Sequence, residues 1–234
     1  MRRLVIATYN IHKGTGLDRV LDLERIAEVI RETEADIVGL QEVVHRRNTD
    51  QARVIARALG MEWIMGVTRR FPDGVSGNAV LSRFGILGAE EFDLSCPCRE
   101  PRGGLRADIP VDGTGIALHL FNVHLGLGPR ERRAQILRLF FDGILRAAAL
   151  NGPRVLLGDF NEWIPRRFDA HFGSEFAANG KHRRSHPAPF PLFSLDRIYW
   201  DPHVTGERPH VHRSRLARVA SDHLPVVARL RFPR

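Results

Sequence analysis

Along the chain, short continuous apolar runs alternate with stretches whose apolar residues recur at three- and four-residue steps. The run RLVIATY, residues 3 to 9, is rich in β-branched and aromatic side chains and reads as a buried strand ending at Asn10. Asp22 then precedes Leu23, Ile26, Ala27 and Ile30, a spacing that predicts an amphipathic helix capped by Asp22 and ending near Ala35. DIVGLQEV follows as a second buried strand. A second helix is expected from about Asp50 to Leu59, closed by Gly60 at the position that favours positive φ, and MEWIMGVTRR reads as strand.

From Phe71 to Val123 the pattern is strands and turns: FPDGVSG as a loop, then NAVLSR, ILGAEEFDL, GLRADIPV and TGIALHLFNVHL, a meander by its spacing. Pro129 suits the first turn of a helix whose apolar face is Ile136, Leu137, Phe140, Ile144, Leu145 and Ala148. VLLGDF is the next strand, followed by a weaker helix over Arg167 to Ala177. KHRRSHPAPFPLF, rich in Pro and basic residues, is expected to be a long loop before the strands SLDRIYW and LPVVARLRF. The alternation of strands and helices makes the chain an α/β protein.

Polar residues interrupt this pattern at strand ends. Asn10, Glu42, His124, Asp159 with Asn161, Asp196, and Asp222 with His223 each sit where a buried strand starts or stops. Singly, each has a plain structural use: Asn10 can start a turn, Glu42 can pair with an Arg, and Asp159 with Asn161 can form an Asx-turn. Their recurrence at strand ends is harder to assign to turns alone, because strand ends project side chains into crevices on a rigid scaffold.

Composition narrows the options. A chain of 234 residues, 43% apolar, fits one large domain spanning 1–234. No apolar run reaches the roughly 18 residues of a membrane helix, and the N-terminus turns polar too early for a signal peptide, so a cytoplasmic protein is expected. Cys96 and Cys98 are too close for an ordinary disulfide and too few for structural zinc. The net charge of +8 invites a polyanionic partner, but the lysines are only Lys13 and Lys181, and the Arg residues are scattered rather than clustered. Charge alone leaves both a general basic surface and a nucleic-acid groove open.

Carboxylate and amide oxygens without thiolates suit Mg²⁺ or Mn²⁺, and such a set is equipped to hydrolyse a phosphate ester. The ordered motifs TYNIHKG, LQEV, GNAVLSR, NVHLG, GDFN, LDRIY and SDHLP resemble those of the endonuclease/exonuclease/phosphatase superfamily, which includes deoxyribonuclease I. They run from Tyr9 to Val227, nearly the whole chain, and IHKG, HLGLGPRERRAQ, GDFNEW and FPLFSLDRIYW resemble a small bacterial subgroup of stand-alone hydrolases. The resemblance implies a four-layer α/β/β/α sandwich of two mixed sheets flanked by helices. It also implies roles: Glu42 as principal metal ligand, with Asn10 beside it and Asp222 completing the site. Asp159 matches the residue that orients or deprotonates water, with Asn161 helping to hold water or phosphate. His223 matches the histidine at the scissile phosphate, polarised by Asp196, and His124 a second phosphate-binding histidine.

For substrate contact the candidates are Lys13, Arg102, Arg106, Trp163 and Arg166, with the loop from Lys181 to Phe193. The expected activity is a phosphodiesterase, acting as a monomer on a lipid headgroup or small diester. A nuclease of loose sequence preference and a non-catalytic phosphate or RNA binder are the alternatives. A calcineurin-type phosphatase needs a G-N-H-[ED] segment, which GNAV at Gly77 to Val80 does not supply.

Overall fold

The structure is a computed structural model, and it describes residues 2–110, 116–147, 150–164, 172–173, 175–176 and 183–232. Two mixed sheets lie face to face. The first contains β1 (Arg2–Asn10), β2 (Ile37–Arg46), β3 (Thr49–Asp50), β4 (Glu62–Phe71), β5 (Gly74–Ser82), β11 (Thr205–Gly206), β12 (His210–Val211) and β13 (Val226–Phe232). Its path is β11-β13-β1-β2-β5-β4, with β3 on β2 and β12 on β13. The second contains β6 (Gly88–Asp93), β7 (Gly103–Pro110), β8 (Ala117–His124), β9 (Arg154–Asp159) and β10 (Asp196–Trp200), in the order β10-β9-β8-β7-β6. Among the described residues, only β1 with β2 and β8 with β9 pair in parallel.

Alternation along each strand builds the layers. Leu4 and Ile6 of β1 enter the core between the sheets with Leu118 and Leu120 of β8 and Val155 and Leu157 of β9. The residues between them face outward. Ala7 and Tyr9 pack under α1 (Leu23–Glu32) and α2 (Gln51–Leu59). Phe121, Val123 and Leu156 pack under α3 (Pro129–Phe141), with Phe160, Phe172 and Phe176. This is the α/β/β/α sandwich. The expected caps Asp22 and Gly60 are in place, Asp22 accepting from Arg25 N at 2.9 Å and Gly60 closing α2 at φ 64, and Asp50 caps α2 by accepting from Arg53 N at 3.0 Å. A short α4 (Ala217–Ala220) precedes β13.

Three expectations are corrected. The stretch from Phe71 to Val123 is not one meander: β5 pairs with β2 and β4 in the first sheet, and the chain then crosses to β6 in the second. Phe84 and Ile86 in the crossing pack on the core between the sheets, which gives that connection its anchor. FPDG is a tight hairpin turn rather than a loop, with Phe71 opposite Gly74. Finally, α3 stops at Phe141 because Gly143 takes φ 80, so Ile144 and Leu145 lie beyond it. Ala148, Arg166, Lys181 and most of the helix expected over Arg167 to Ala177 fall outside the described residues.

A buried amide pair ties the two sheets together below their open end. Gln41 Nε2 donates to Asn122 Oδ1 at 2.6 Å, while Asn122 Nδ2 donates to the carbonyls of Leu40 and Ala79 at 2.9 and 2.8 Å. Both side chains are fully buried, so these bonds replace water that cannot reach them. Among the described residues no helix is long and apolar enough to cross a membrane. Asn122→Ala should destabilise the protein by about 2–4 kcal/mol, since it strands Gln41 and opens space between the sheets. Urea unfolding reads this directly, and a loss under about 0.5 kcal/mol would remove the amide pair from the list of what holds the sandwich.

Candidate active site

On β1, β8, β9 and β10 the positions facing the core between the sheets turn polar at one end. His124, Asp159 and Asp196 stand side by side in register across three adjacent strands of the second sheet. Asn10 closes the corresponding end of β1 in the first. Together with Glu42, Asn161, Asp222 and His223 they line one open cleft of about 580 Å³, Asp196 lying just beneath it behind His223.

Each turn-forming group divides its hydrogen bonds between turn and cleft. Asn10 Oδ1 accepts from His12 N at 3.0 Å, while its Nδ2 donates to Asp159 Oδ2 at 3.1 Å and reaches Glu42 Oε1 at 3.4 Å. Asp159 Oδ1 accepts from Asn161 N at 2.9 Å, leaving Oδ2 to the cleft. Asn161 Nδ2 donates to the Leu125 carbonyl at 2.9 Å, fastening the end of β9 to that of β8, and its backbone sits at φ 50. Turn and site are thus built by different atoms of the same side chains.

Glu42 gets into the cleft by breaking alternation. Leu40 and Val43 both pack on the helix side, although they are three residues apart. The register of β2 against β5 shifts between them, and Glu42 adopts φ 58. This bulge turns Glu42 toward the cleft, where a regular strand would have sent it under the helices. A non-glycine residue there costs about 1–2 kcal/mol of backbone strain.

Two histidines of opposite character flank Asp159 Oδ2. His124 Nε2 lies 3.6 Å away and His223 Nε2 3.8 Å away. Burial holds the His124 pKa down to about 3 against the pull of Asp159, and the adjacent Arg102 charge adds to the effect, so the ring is neutral near pH 7. Arg102 Nη1 sits 3.0 Å from the ring nitrogens. Burial also disfavours charge on His223, but Asp196, Asp159 and Asp222 outweigh it and lift the pKa to about 10. His223 Nδ1 is 2.8 Å from Asp196 Oδ2, which also accepts from Ser185 Oγ at 2.5 Å. Nδ1 therefore carries the hydrogen toward Asp196, and Nε2 faces the cleft.

The remaining candidates divide. Arg102 is fixed between His124 and Glu100, Lys13 Nζ is 4.0 Å from Glu42 Oε2, and Trp163 lies edge-on to His186 at 5.5 Å, all on the cleft. Arg106 is a correction: Leu105 takes the inward position on β7, so Arg106 points to the outer face and pairs with Glu90 and Asp108 at 2.8 and 3.1 Å. Arg46, Arg69 and His186 line the cleft without having been singled out. Only a basic, Pro-rich segment flagged His186; Arg69 lies on a strand with no motif around it, and Arg46 lies past the LQEV motif at the end of β2.

The donors fit a hard divalent cation. Four carboxylates, those of Glu42, Asp159, Asp196 and Asp222, gather at the cleft, and the Glu42 and Asp222 side chains are 25% and 32% exposed. Facing Glu42 are an amide and one lysine at 4.0 Å. His186, Asp222 and His223, and likewise Asp159, Asp196 and His223, bring ligand atoms within 4.8 Å of one another. Glu42 belongs to neither trio and is joined to Asp159 through Asn10.

Known proteins share this arrangement of the chain. A family model described as the endonuclease/exonuclease/phosphatase family matches residues 7–223. The uncharacterized protein YbhP of Escherichia coli strain K12 is 34% identical over 96% of this chain and 95% of its own. An endonuclease/exonuclease/phosphatase from Bacteroides vulgatus superposes with a TM-score of 0.80 at 19% identity, covering 100% of both chains. The mannosyl-6-phosphatase Bt3783 of Bacteroides thetaiotaomicron gives 0.77 at 24% identity, over 98% of this chain and all of that one. At such identities these two likenesses establish the fold.

Replacing Glu42 with glycine relieves its backbone and removes a carboxylate from the cluster. Glu42→Gly should therefore unfold no more easily than wild type without metal, gaining up to about 1 kcal/mol. Addition of about 10 mM Mg²⁺ should raise the Tm of wild type and leave the variant unmoved. Equal Mg²⁺ shifts in both proteins, measured by calorimetry, would exclude Glu42 as a ligand.

Proposed function

The chain belongs to the endonuclease/exonuclease/phosphatase family and its YbhP-like group, and from that membership we propose a Mg²⁺- or Mn²⁺-dependent phosphodiesterase. Its substrate in this reading is a lipid headgroup or another small phosphodiester. The observation that carries it is the Asp159 carboxylate, buried at the cleft floor with His124 and His223 at 3.6 and 3.8 Å from one oxygen. A cation held by Glu42 and Asp222, with Asn10 Nδ2 orienting the Glu42 carboxylate, would neutralise phosphate charge and polarise the phosphoryl oxygen.

The chain's own groups supply the rest. Asp159 orients the attacking water and accepts its proton, with its other oxygen locked by Asn161 N. Asn161 holds water or phosphate beside it. His223, fixed by Asp196, presents Nε2 to the phosphorus centre, donating to the phosphoryl oxygen as charge builds there. His124, steadied by Arg102, hydrogen-bonds a second phosphate oxygen. Lys13, Arg102 and Trp163 bound the space left for the alcohol groups of the substrate. A volume near 580 Å³ suits a ligand larger than a phosphate group alone.

A nuclease is the second reading, favoured by Arg46, Arg69 and Arg102 lining the cleft together with the ring of Trp163. A phosphate or RNA binder without catalysis has no use for a carboxylate aimed at the position of the attacking water.

A panel of bis-p-nitrophenyl phosphate, p-nitrophenyl phosphate, plasmid, sphingomyelin and inositol phosphates separates these readings. Diester turnover is expected with Mg²⁺, abolished by EDTA and by Asp159→Ala, and lowered about 10²-fold or more in His223→Ala. Plasmid nicked in preference to the small diesters would favour the nuclease. Rates unchanged in both variants would reject hydrolysis at this cleft.

A further inference from the structure

Large apolar side chains in water tend to be scattered on a soluble protein's surface; here several gather in the loops that frame the cleft. The loop from His186 to Phe193 is closed on itself, with Leu192 N and Phe193 N both donating to the His186 carbonyl at 2.8 Å. It carries Pro187, Pro189 and Pro191, and holds Phe190 79% and Leu192 60% exposed. The loop's base is fixed to the site: Ala188 N donates to the Asp222 carbonyl at 2.7 Å, and Phe193 packs on Trp163 at 4.6 Å. A loop this firmly tied holds two apolar side chains outward without collapsing over them.

The ridge continues away from that loop. Arg218 Nη1 donates to the Pro189 carbonyl at 3.0 Å, which sets the exposed Val219 beside it, and Leu17 N donates to the Val219 carbonyl at 2.9 Å. Leu17 and Leu21 are exposed in turn. On the cleft's own lining, Leu127 is 61% exposed. Three of these segments neighbour site residues along the chain: Leu127 follows His124, the proline loop precedes Asp196, and Val219 precedes Asp222.

Exposed arginines are interleaved with these apolar groups: Arg19 between Leu17 and Leu21, Arg130 after Leu127, Arg184 before the proline loop, and Arg215 and Arg218 before Val219. Apolar knobs among cations, around the mouth of a cleft, match a surface that offers acyl chains below and anionic headgroups above. We infer that this ridge docks the protein on an anionic phospholipid bilayer, with the cleft opening onto the headgroup phosphodiesters. The lipid-headgroup substrate rests on the phosphodiesterase reading; the docking rests on the ridge alone.

The test is sedimentation of the full chain with vesicles of phosphatidylcholine, with and without about one-third phosphatidylglycerol. Wild type should bind the anionic vesicles about tenfold or more tightly than the neutral ones. Phe190→Ser with Leu192→Ser should lose about tenfold or more of that binding. Arg184→Glu with Arg215→Glu should remove the preference for phosphatidylglycerol. Where thermal unfolding shows every variant folded, equal vesicle binding by wild type and the Phe190/Leu192 variant overturns the inference. So does a wild-type dimer that this variant splits without any vesicle binding, which would assign the ridge to a second copy. Vesicle binding as expected, with no diester turnover in wild type, upholds the docking and removes the phosphodiesterase reading instead.

Discussion

A side chain on a regular strand can face only one of two sides, and in a sandwich of two sheets one of those sides is the dry layer between them. Everything at the cleft depends on that constraint. Leu4 and Ile6, Leu118 and Leu120, and Val155 and Leu157 fill the layer with apolar volume. One or two steps further along the same faces come Asn10, His124 and Asp159. The core becomes the floor of the cleft without any change of strand direction. The Gln41 and Asn122 amides mark the boundary, polar enough to follow the site and fully satisfied so that they can stay buried.

Glu42 is the exception that completes the set. Regular alternation would have put its carboxylate beneath α1 and α2, an apolar setting with no partner for it. The bulge redirects it at the cost of a left-handed backbone, and Asn161 accepts the same conformation across the cleft's lining. Strained positions in a family whose members act on phosphate esters are consistent with strain tolerated for a site. The gathered carboxylates also explain why one histidine is held protonated while its neighbour, deeper among cations and apolar atoms, is held neutral.

Much of this was legible in the sequence because polar residues stood where apolar runs stopped, and because Asp22 and Gly60 announced their helix ends. Topology was less legible: nothing in SRFGIL distinguishes a turn within one sheet from a crossing to another, and only the packing of Phe84 and Ile86 decides it. The Glu42 bulge left no local signature, since LQEVV alternates poorly with or without it. Arg106 misled because closeness in sequence to a motif says little about which face of a strand a side chain takes. His186 escaped as an individual because its partners, Trp163, Asp222 and His223, are distant in sequence.

The central claim is that Glu42, turned inward by its bulge and oriented by Asn10, joins Asp222 around a single divalent ion. Anomalous diffraction from crystals soaked in Mn²⁺ tests it without reference to any substrate. The account predicts one peak in the cleft, within about 2.5 Å of a Glu42 carboxylate oxygen. A peak held by His186, Asp222 and His223 with Glu42 uncoordinated, or no peak in the cleft at all, would contradict it.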